Sequence, residues 1–414
     1  MKKVRIVTLG CRTNQYESQL FSDQLSRMGY TSAQNDDEKV DLCIVNTCTV
    51  TDHADSSSRH QIRKLARRHE GARFVVTGCM AESAPEAIHA IDERIEIIPN
   101  KEKEKLVAAL FPDEENAPEL HIRQFEGHTR AFVKVQDGCN SFCTYCIIPY
   151  VRGRSVSRPL EEVVKEVCAL VENGYQEIVL TGINIGDYEA QGVRLADLVR
   201  TVDKIDGVKR LRISSIDPDE VDDDLVDAVL NSRSGCPCLH LVLQSGSNVV
   251  LKKMNRKYTR QIFLQTVEKL CKVDPDFTFT TDIIVGFPGE TEADFQETVD
   301  MVSQVRFAKV HLFPYSPRKR TRAALYPNRI PPEVMQERKS DLLRHCEKTA
   351  FRVRSQFVGR EMEILLEEGD EEFLFGHTKN FLRVKVPKGS LKPNRIVPVL
   401  LKENQPDALI GEVL

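Results

Sequence analysis

No segment of this sequence approaches the ~18 uninterrupted apolar residues that a membrane-crossing helix requires. Its opening, MKKVRIVTLGC, has no apolar core ahead of a small-residue cleavage site. The expectation is a cytoplasmic chain with no membrane partner. Low-complexity tracts and internal repeats are missing too, and 41% hydrophobic with 29% charged residues excludes a disordered or fibrous chain. Charge of one sign is not in excess: 58 Lys+Arg against 62 Asp+Glu give a formal net charge of −4. A polyanionic partner must therefore meet a local patch rather than the whole surface. At 414 residues the chain outgrows a single core, which points to two or three domains.

Cysteine, by contrast, is plentiful. Twelve in one chain exceed what packing needs, and a reducing compartment disfavours a disulfide framework, so metal or cluster ligation is the first question.

The first hundred residues alternate apolar runs rich in Val, Ile and Thr with helical patterns. VRIVTLG (4–10), DLCIVNTC (41–48), ARFVVTGC (72–79) and EIIPN (96–100) read as strands. The segments between them read as helices, giving a parallel α/β unit. From Pro112 to His128 the composition turns polar and acidic, which marks a linker. Alternation then resumes in AFVKVQ (131–136), EIVLTG (177–182), RLRISS (210–215), LHLVLQ (239–244), FTFTTDIIVG (277–286) and KVHLFP (309–314). Six βα units rather than eight suggest an incompletely closed parallel barrel, with functional residues at the carboxyl ends of its strands. A long helix is expected from about Pro331 to Phe357. From Gly359 the strands EMEILLEE, FLFGHT, FLRVKVP and RIVPVLL fit a small β-barrel.

Cys139, Cys143 and Cys146 form a C-x3-C-x2-C run directly after the first barrel strand. Three thiolates on one loop can hold three irons of a [4Fe-4S] cube and leave the fourth iron open to a small chelating ligand. Zinc with a distant fourth ligand is the alternative. Cys11, Cys48 and Cys79 each end an apolar strand, in TLGC, IVNTC and VVTGC. The carboxyl ends of adjacent parallel strands meet at one crevice, so these three read as a second ligand trio, or else as small buried hydrophobes. Cys43, Cys168, Cys271 and Cys346 read as packing, and Cys236-x-Cys238 as a weak metal motif at most.

The three-cysteine loop, with Tyr145 just before its last cysteine, resembles the radical S-adenosylmethionine (SAM) superfamily. TLGCRTNQYES, VNTCTVT, VTGCMAE, DGCNSFCTYCIIPYVRGRSVSR, LQSGSNVVLKKMNRKYT and TDIIVGFPGETEADF together resemble the methylthiotransferases over nearly the whole chain. Cys238, Val242 and Asn248 depart from the family's usual His, Pro and Asp. The resemblance implies an α/β protein of three parts. These are a flavodoxin-like amino-terminal cluster domain over 1–115, a partial (β/α)6 radical SAM barrel over 128–357 and a small TRAM-type β-barrel over 358–414. It implies two [4Fe-4S] clusters on the two trios, SAM, a tRNA substrate, and an electron donor such as flavodoxin or ferredoxin. The barrel cluster would bind SAM and cleave it to a radical that activates C2 of an adenine. The other cluster would deliver the methylthio group. No His/Asp dyad is required, and none is evident. GCRTNQYES resembles the branch acting on N6-threonylcarbamoyladenosine beside the anticodon, with the isopentenyladenosine and ribosomal-protein branches as alternatives. A non-catalytic iron–sulfur carrier or RNA-binding module is the alternative of another class.

Strand-end position nominates Thr181, Gly182, Asn184, Ser214, Ser215, Gln244 and Gly286 for the SAM pocket, beside Tyr145. The plainer reading is that the glycines permit turns and the serines cap helices. Arg12, Asn14 and Gln15 are placed to read a polar threonylcarbamoyl group, although Asn14 and Gln15 also suit a helix start. Residues 373–402 carry Lys379, Arg383 and Lys385 among seven cations with no acid, interleaved with Phe373, Phe375 and Phe381. That combination suits an RNA backbone and stacked bases, with at least one Phe expected in the core. Arg318, Lys319, Arg320 and Arg322 form a second patch, and Arg59, Arg63, Lys64, Arg67 and Arg68 a third, which a solvated helix face would also explain.

Overall fold

The computed structural model describes residues 2–35, 38–112, 122 and 127–414. The expected linker from Pro112 to His128 lies almost wholly outside the described residues.

Strands β1 (Lys2–Thr8), β2 (Tyr30–Ser32), β3 (Leu42–Thr47), β4 (Arg73–Gly78) and β5 (Glu96–Ile97) pair in parallel in the order β2-β1-β3-β4-β5. This is the flavodoxin order, whose switch point lies between the first and third strands. The unbroken apolar run that opens LCIVNT suits a parallel strand covered on both faces, and β3 is buried throughout. Leu42 and Ile44 pack with Phe21 and Leu25 of helix α1 (Arg12–Arg27). Cys43 and Val45 pack on the other face with Ile62 and Leu65 of α2 (Asp52–Arg68). A short α3 (Cys79–Ser83) follows β4. The edge strand β2 escapes the sequence reading because three residues show no period.

The barrel strands are β6 (Arg130–Lys134), β7 (Glu177–Thr181), β8 (Arg210–Ile213), β9 (Ser215–Ile216), β10 (Cys238–Leu241), β11 (Thr278–Val285) and β12 (Lys309–Pro314). They form two parallel sheets, β6-β7-β8 and β9-β10-β11-β12. The expected third strand, RLRISS, is split at Ser214, whose N–H donates to the Leu180 carbonyl at 3.0 Å. Among the described residues no pairing joins β12 to β6, so the barrel stays open. Its outer layer is α4 (Leu160–Glu172), α5 (Leu195–Asp203), α6 (Asp223–Leu230), α7 (Arg260–Val273), α8 (Glu292–Val305) and α9 (Pro332–Ser355). Thr291 and Asp294 close a capping box on α8.

Strands β13 (Glu361–Glu367), β14 (Phe373–Thr378), β15 (Arg383–Pro387), β16 (Ile396–Asn404) and β17 (Leu409–Val413) close a barrel in the order β13-β14-β15-β17-β16. The fifth strand, absent from the sequence reading, removes the open edges. None of Phe373, Phe375 and Phe381 enters its core, contrary to expectation. Strand parity gives that place to Leu374, beside Leu366, Val384, Val399 and Leu401, and leaves Phe373 and Phe375 half-buried under Lys385 and Arg383.

This small barrel seals the amino-terminal mouth of the large one. Arg210 donates to the carbonyls of His377 (2.7 Å) and Glu363 (2.9 Å), and Arg212 to those of Lys379 (2.7 Å) and Thr378 (2.9 Å). Glu177 neutralises both arginines from β7. Phe381 stacks on His377 beneath Arg130 and Arg212. The carboxyl ends of the barrel strands face the other way, toward the amino-terminal sheet.

Candidate active site

At the switch point, Gly10 takes φ +94, and a Cβ there would stand 2.7 Å from Cys48 Cβ and 2.8 Å from its Sγ. Only glycine allows the β1–α1 turn so close to the end of β3. Cys11 therefore opens α1 beside Cys48, and Cys79 opens α3 after β4. Asn14, buried, fastens the two strand ends together. Its amide donates to the carbonyls of Leu9 (2.6 Å) and Thr47 (3.0 Å). Its oxygen accepts from Arg152 and, at 3.8 Å, from the Cys11 thiol.

The second trio hangs on the loop after β6. Thr144 ties this loop to its surroundings: its N–H donates to the Met254 carbonyl (3.0 Å) and its hydroxyl to the Lys253 carbonyl (2.9 Å). Arg256 donates to Cys143 Sγ at 3.0 Å and ion-pairs with buried Asp217. Tyr145 packs its ring edge-on against Phe287 at 6.4 Å.

All six cysteines line one cavity of about 450 Å³ between the amino-terminal sheet and the barrel. Thr181, Gly182, Asn184, Ser214, Ser215, Gln244 and Tyr145 line it too, as do Arg12 and Asn14. Burial pushes the Cys48 thiol up to about 12 and raises Cys79, Cys139 and Cys146 as well. Thiols raised in this way ionise together only around a cationic centre, which is the donor chemistry of an iron–sulfur cube. Among the described residues, no three His, Cys, Asp or Glu side chains converge tightly enough for one metal ion. Cube ligands, each on its own iron, stand farther apart. The Ser214 hydroxyl and the Gln244 carbonyl oxygen are buried without a hydrogen-bond partner. Each costs on the order of 1–3 kcal/mol in that state, so these residues fit a polar ligand such as SAM. Gln244 also holds a left-handed backbone, φ +61, where strain is retained mainly for function.

Between the trios runs a buried ionic network that the sequence did not reveal. Arg152 pairs with Glu17 (3.1 Å) and Asp137 (2.8 Å), Lys103 with Glu17 (2.5 Å), and Lys134 with Asp137 (3.2 Å). Burial alone would raise the Glu17 carboxyl, but Arg152, Lys103 and Lys134 outweigh it and hold the carboxyl below its ordinary value. The cavity also contains His240, Asp282 and His311, with His240 Nε2 3.5 Å from Asp282 Oδ1. A His–Asp pair is therefore present, contrary to expectation. Parallel register creates it: His240 pairs with Thr280, and Asp282 lies two residues on, on the same face.

Other nominated residues lie elsewhere. Gly286 is not among the cavity's lining. At φ +78 it turns the chain where a Cβ would stand 2.1 Å from Met335 Cγ, and its N–H donates to Glu290 at 2.9 Å. Gln15 lines a separate pocket under β1. Lys379, Arg383 and Lys385 sit on the terminal barrel at the opposite mouth. Arg318 is no free phosphate ligand, because it ion-pairs with Asp52 and Asp55 of α2.

One titration follows from the site. Burial, then nearby Asp217, lifts Glu220 to about 7, while Asn184 Nδ2 donates to it at 2.8 Å. A carboxyl raised in the folded state stabilises the fold below its unfolded value near 4.5, and that contribution is lost as pH rises through about 7. Glu220→Gln should flatten the decline in melting temperature between pH 5 and 8, a difference on the order of 2 kcal/mol. Parallel pH profiles for the two proteins would rule the assignment out.

The family model described as the Radical SAM superfamily matches residues 133–302, and that of Uncharacterized protein family UPF0004 matches residues 3–99. A Chlamydia pneumoniae protein named Threonylcarbamoyladenosine tRNA methylthiotransferase MtaB is 47% identical, covering 99% of this chain and 98% of its own. The chain belongs to the radical SAM tRNA methylthiotransferase family. A Thermotoga maritima protein of the MtaB name is 39% identical over 89% of this chain and 87% of its own. A Caldicellulosiruptor saccharolyticus tRNA-2-methylthio-N(6)-dimethylallyladenosine synthase is 35% identical over 100% and 93%. The radical SAM methyltransferase TsrM of Kitasatospora setae shares the fold at TM-score 0.55 and 17% identity, over 77% of each chain. The enzyme thus works with SAM and [4Fe-4S] iron–sulfur chemistry. Among its described residues no helix is long and apolar enough to cross a membrane.

Proposed function

We propose that this methylthiotransferase modifies C2 of N6-threonylcarbamoyladenosine in tRNA, with one [4Fe-4S] cluster on Cys139, Cys143 and Cys146 and a second on Cys11, Cys48 and Cys79. The observation that carries the reading is that both trios open on one cavity, which the orphaned polar atoms of Ser214 and Gln244 also line. When bound, the first cluster supplies the electron that cleaves SAM, and the second supplies the sulfur. The protein's own part is electrostatic. Arg256, anchored by Asp217, holds a donor on Cys143 Sγ, while the charge of buried Arg152 opposes the rise that burial imposes on the Cys79 thiol.

Substrate choice falls to other side chains that line the cavity. Arg12 reaches across from α1 to lie 5.7 Å over the Phe132 ring of β6, near Asp282. A cation with His240, Asp282 and His311 suits the carboxylate, hydroxyl and urea of a threonylcarbamoyl group, whereas an isopentenyl group would want an apolar wall. Asn14, whose amide is spent on the two strand ends and whose oxygen accepts from Arg152 and the Cys11 thiol, holds the Cys11 turn rather than reading substrate. The three parts act as units over 1–115, 128–357 and 358–414. Reduction falls to an external flavodoxin or ferredoxin, and the tRNA substrate places the enzyme's work in the cytoplasm.

The test is anaerobic turnover of the reconstituted enzyme on tRNAs bearing either nucleoside, followed by nucleoside analysis. Methylthiolation should be confined to threonylcarbamoyladenosine. Preferential modification of isopentenyladenosine would overturn the substrate reading.

A further inference from the structure

Three segments far apart in sequence, 138–157, 244–262 and 315–332, together carry twelve Lys and Arg and no Asp or Glu, in a chain that is slightly acidic overall. They follow the carboxyl ends of β6, β10 and β12, and the fold brings them together. Beyond the Thr144 bonds to Met254 and Lys253, the Ala323 N–H donates to the Thr144 carbonyl at 2.8 Å, and Asn255 donates to the Phe142 carbonyl at 3.1 Å. Arg152, Arg256 and Arg318 are taken up by internal carboxylates. Lys252, Lys257, Lys319 and Arg322 remain exposed.

Two guanidinium-over-ring contacts lie within these segments. Arg154 lies over the Phe142 ring at 4.2 Å and Arg320 over the Tyr150 ring at 5.0 Å. Phe142 and Tyr150 are 38% and 41% exposed, unusual for aromatic side chains with a core available. Phe142 takes φ +48, the left-handed region, on a loop whose neighbours Cys139 and Cys143 line the cavity.

We propose that this acid-free face is the seat of the tRNA anticodon loop. Its free cations contact phosphates, and the Arg154–Phe142 and Arg320–Tyr150 stacks receive bases unstacked on either side of the adenosine in the cavity. The proposal rests on the tRNA reading above. Nucleotides flanking a base inside the cavity are covalently tied to it and must lie on this rim. Lys379, Arg383 and Lys385, at the other mouth of the barrel, reach only more distant parts of the RNA.

The test compares the full-length reconstituted enzyme with two variants, Lys252→Glu/Lys257→Glu/Arg322→Glu and Tyr150→Ala. Iron content and dithionite-driven SAM cleavage report folding. The charge variant should bind tRNA at least tenfold more weakly at about 0.1 M salt, with a salt slope shallower by roughly two to three. Tyr150→Ala should weaken binding about tenfold with the slope unchanged. Unchanged affinity and slope in both variants, while the unmodified enzyme binds tRNA, would overturn this proposal alone. Intact tRNA binding with loss confined to flavodoxin-driven cleavage would assign the face to an acidic electron donor and overturn the RNA seat. Absence of tRNA binding by the unmodified enzyme would overturn the functional reading together with it.

Discussion

Replacing Cys139, Cys143 and Cys146 together by alanine is expected to halve the iron bound after anaerobic reconstitution, from about eight to about four per chain, and to abolish reductive SAM cleavage. These thiols share a loop fixed by Thr144 and Arg256, and the other trio stands on separate strand ends, so removing one set leaves the second set's backbone intact. The reciprocal variant, with Cys11, Cys48 and Cys79 replaced by alanine, should keep SAM cleavage and lose methylthio transfer. Iron analysis and 5′-deoxyadenosine assays decide between the outcomes. A single cluster in the unmodified enzyme, or zinc in its place, would sink the two-cluster model. Loss of cleavage in the reciprocal variant with its barrel cluster intact would refute the separation of roles.

Arg152→Met should lower stability by about 3 kcal/mol, the low end of the range for a broken buried ion pair. Its side chain is fully buried against Glu17 and Asp137, and Lys103 and Lys134 still partially neutralise those carboxylates when it is gone. Glu17 belongs to α1 and Asp137 to the barrel side, so the loss also loosens the sheet from the barrel. Both carboxyls are held below their ordinary values. The network's contribution is therefore present above the usual carboxylate range and lost as pH falls through the depressed values. Thermal or urea unfolding at pH 7 should show an earlier first transition, and Arg152→Lys should restore little of it, because an ammonium lacks the fork that spans two acids. A melting profile equal to that of the unmodified enzyme would refute the account.

Much of the architecture was legible along the chain because burial repeats with the period of each element. The apolar runs of β1, β3 and β4, the six barrel strands and the long α9 all announced themselves in this way. β2 and β17 escaped detection, as did the break at Ser214, because short strands and local irregularities carry no readable period. Cys11, Cys48 and Cys79 could be grouped from sequence because parallel strands deliver their carboxyl ends to one edge. Cys139, Cys143 and Cys146 needed only their spacing.

Tertiary structure alone decided which surfaces meet. It set the sheet's switch point over the barrel so that six cysteines face one cavity, and it made a His–Asp pair from residues on adjacent strands. It turned Arg318 from an expected phosphate ligand into an ion-pair partner of α2, and it carried the terminal barrel with Lys379, Arg383 and Lys385 to the far mouth. A residue's own neighbours in sequence determine whether it is buried and in what element. Complementarity of shape and charge between distant elements determines what it is buried against, and no periodicity records that.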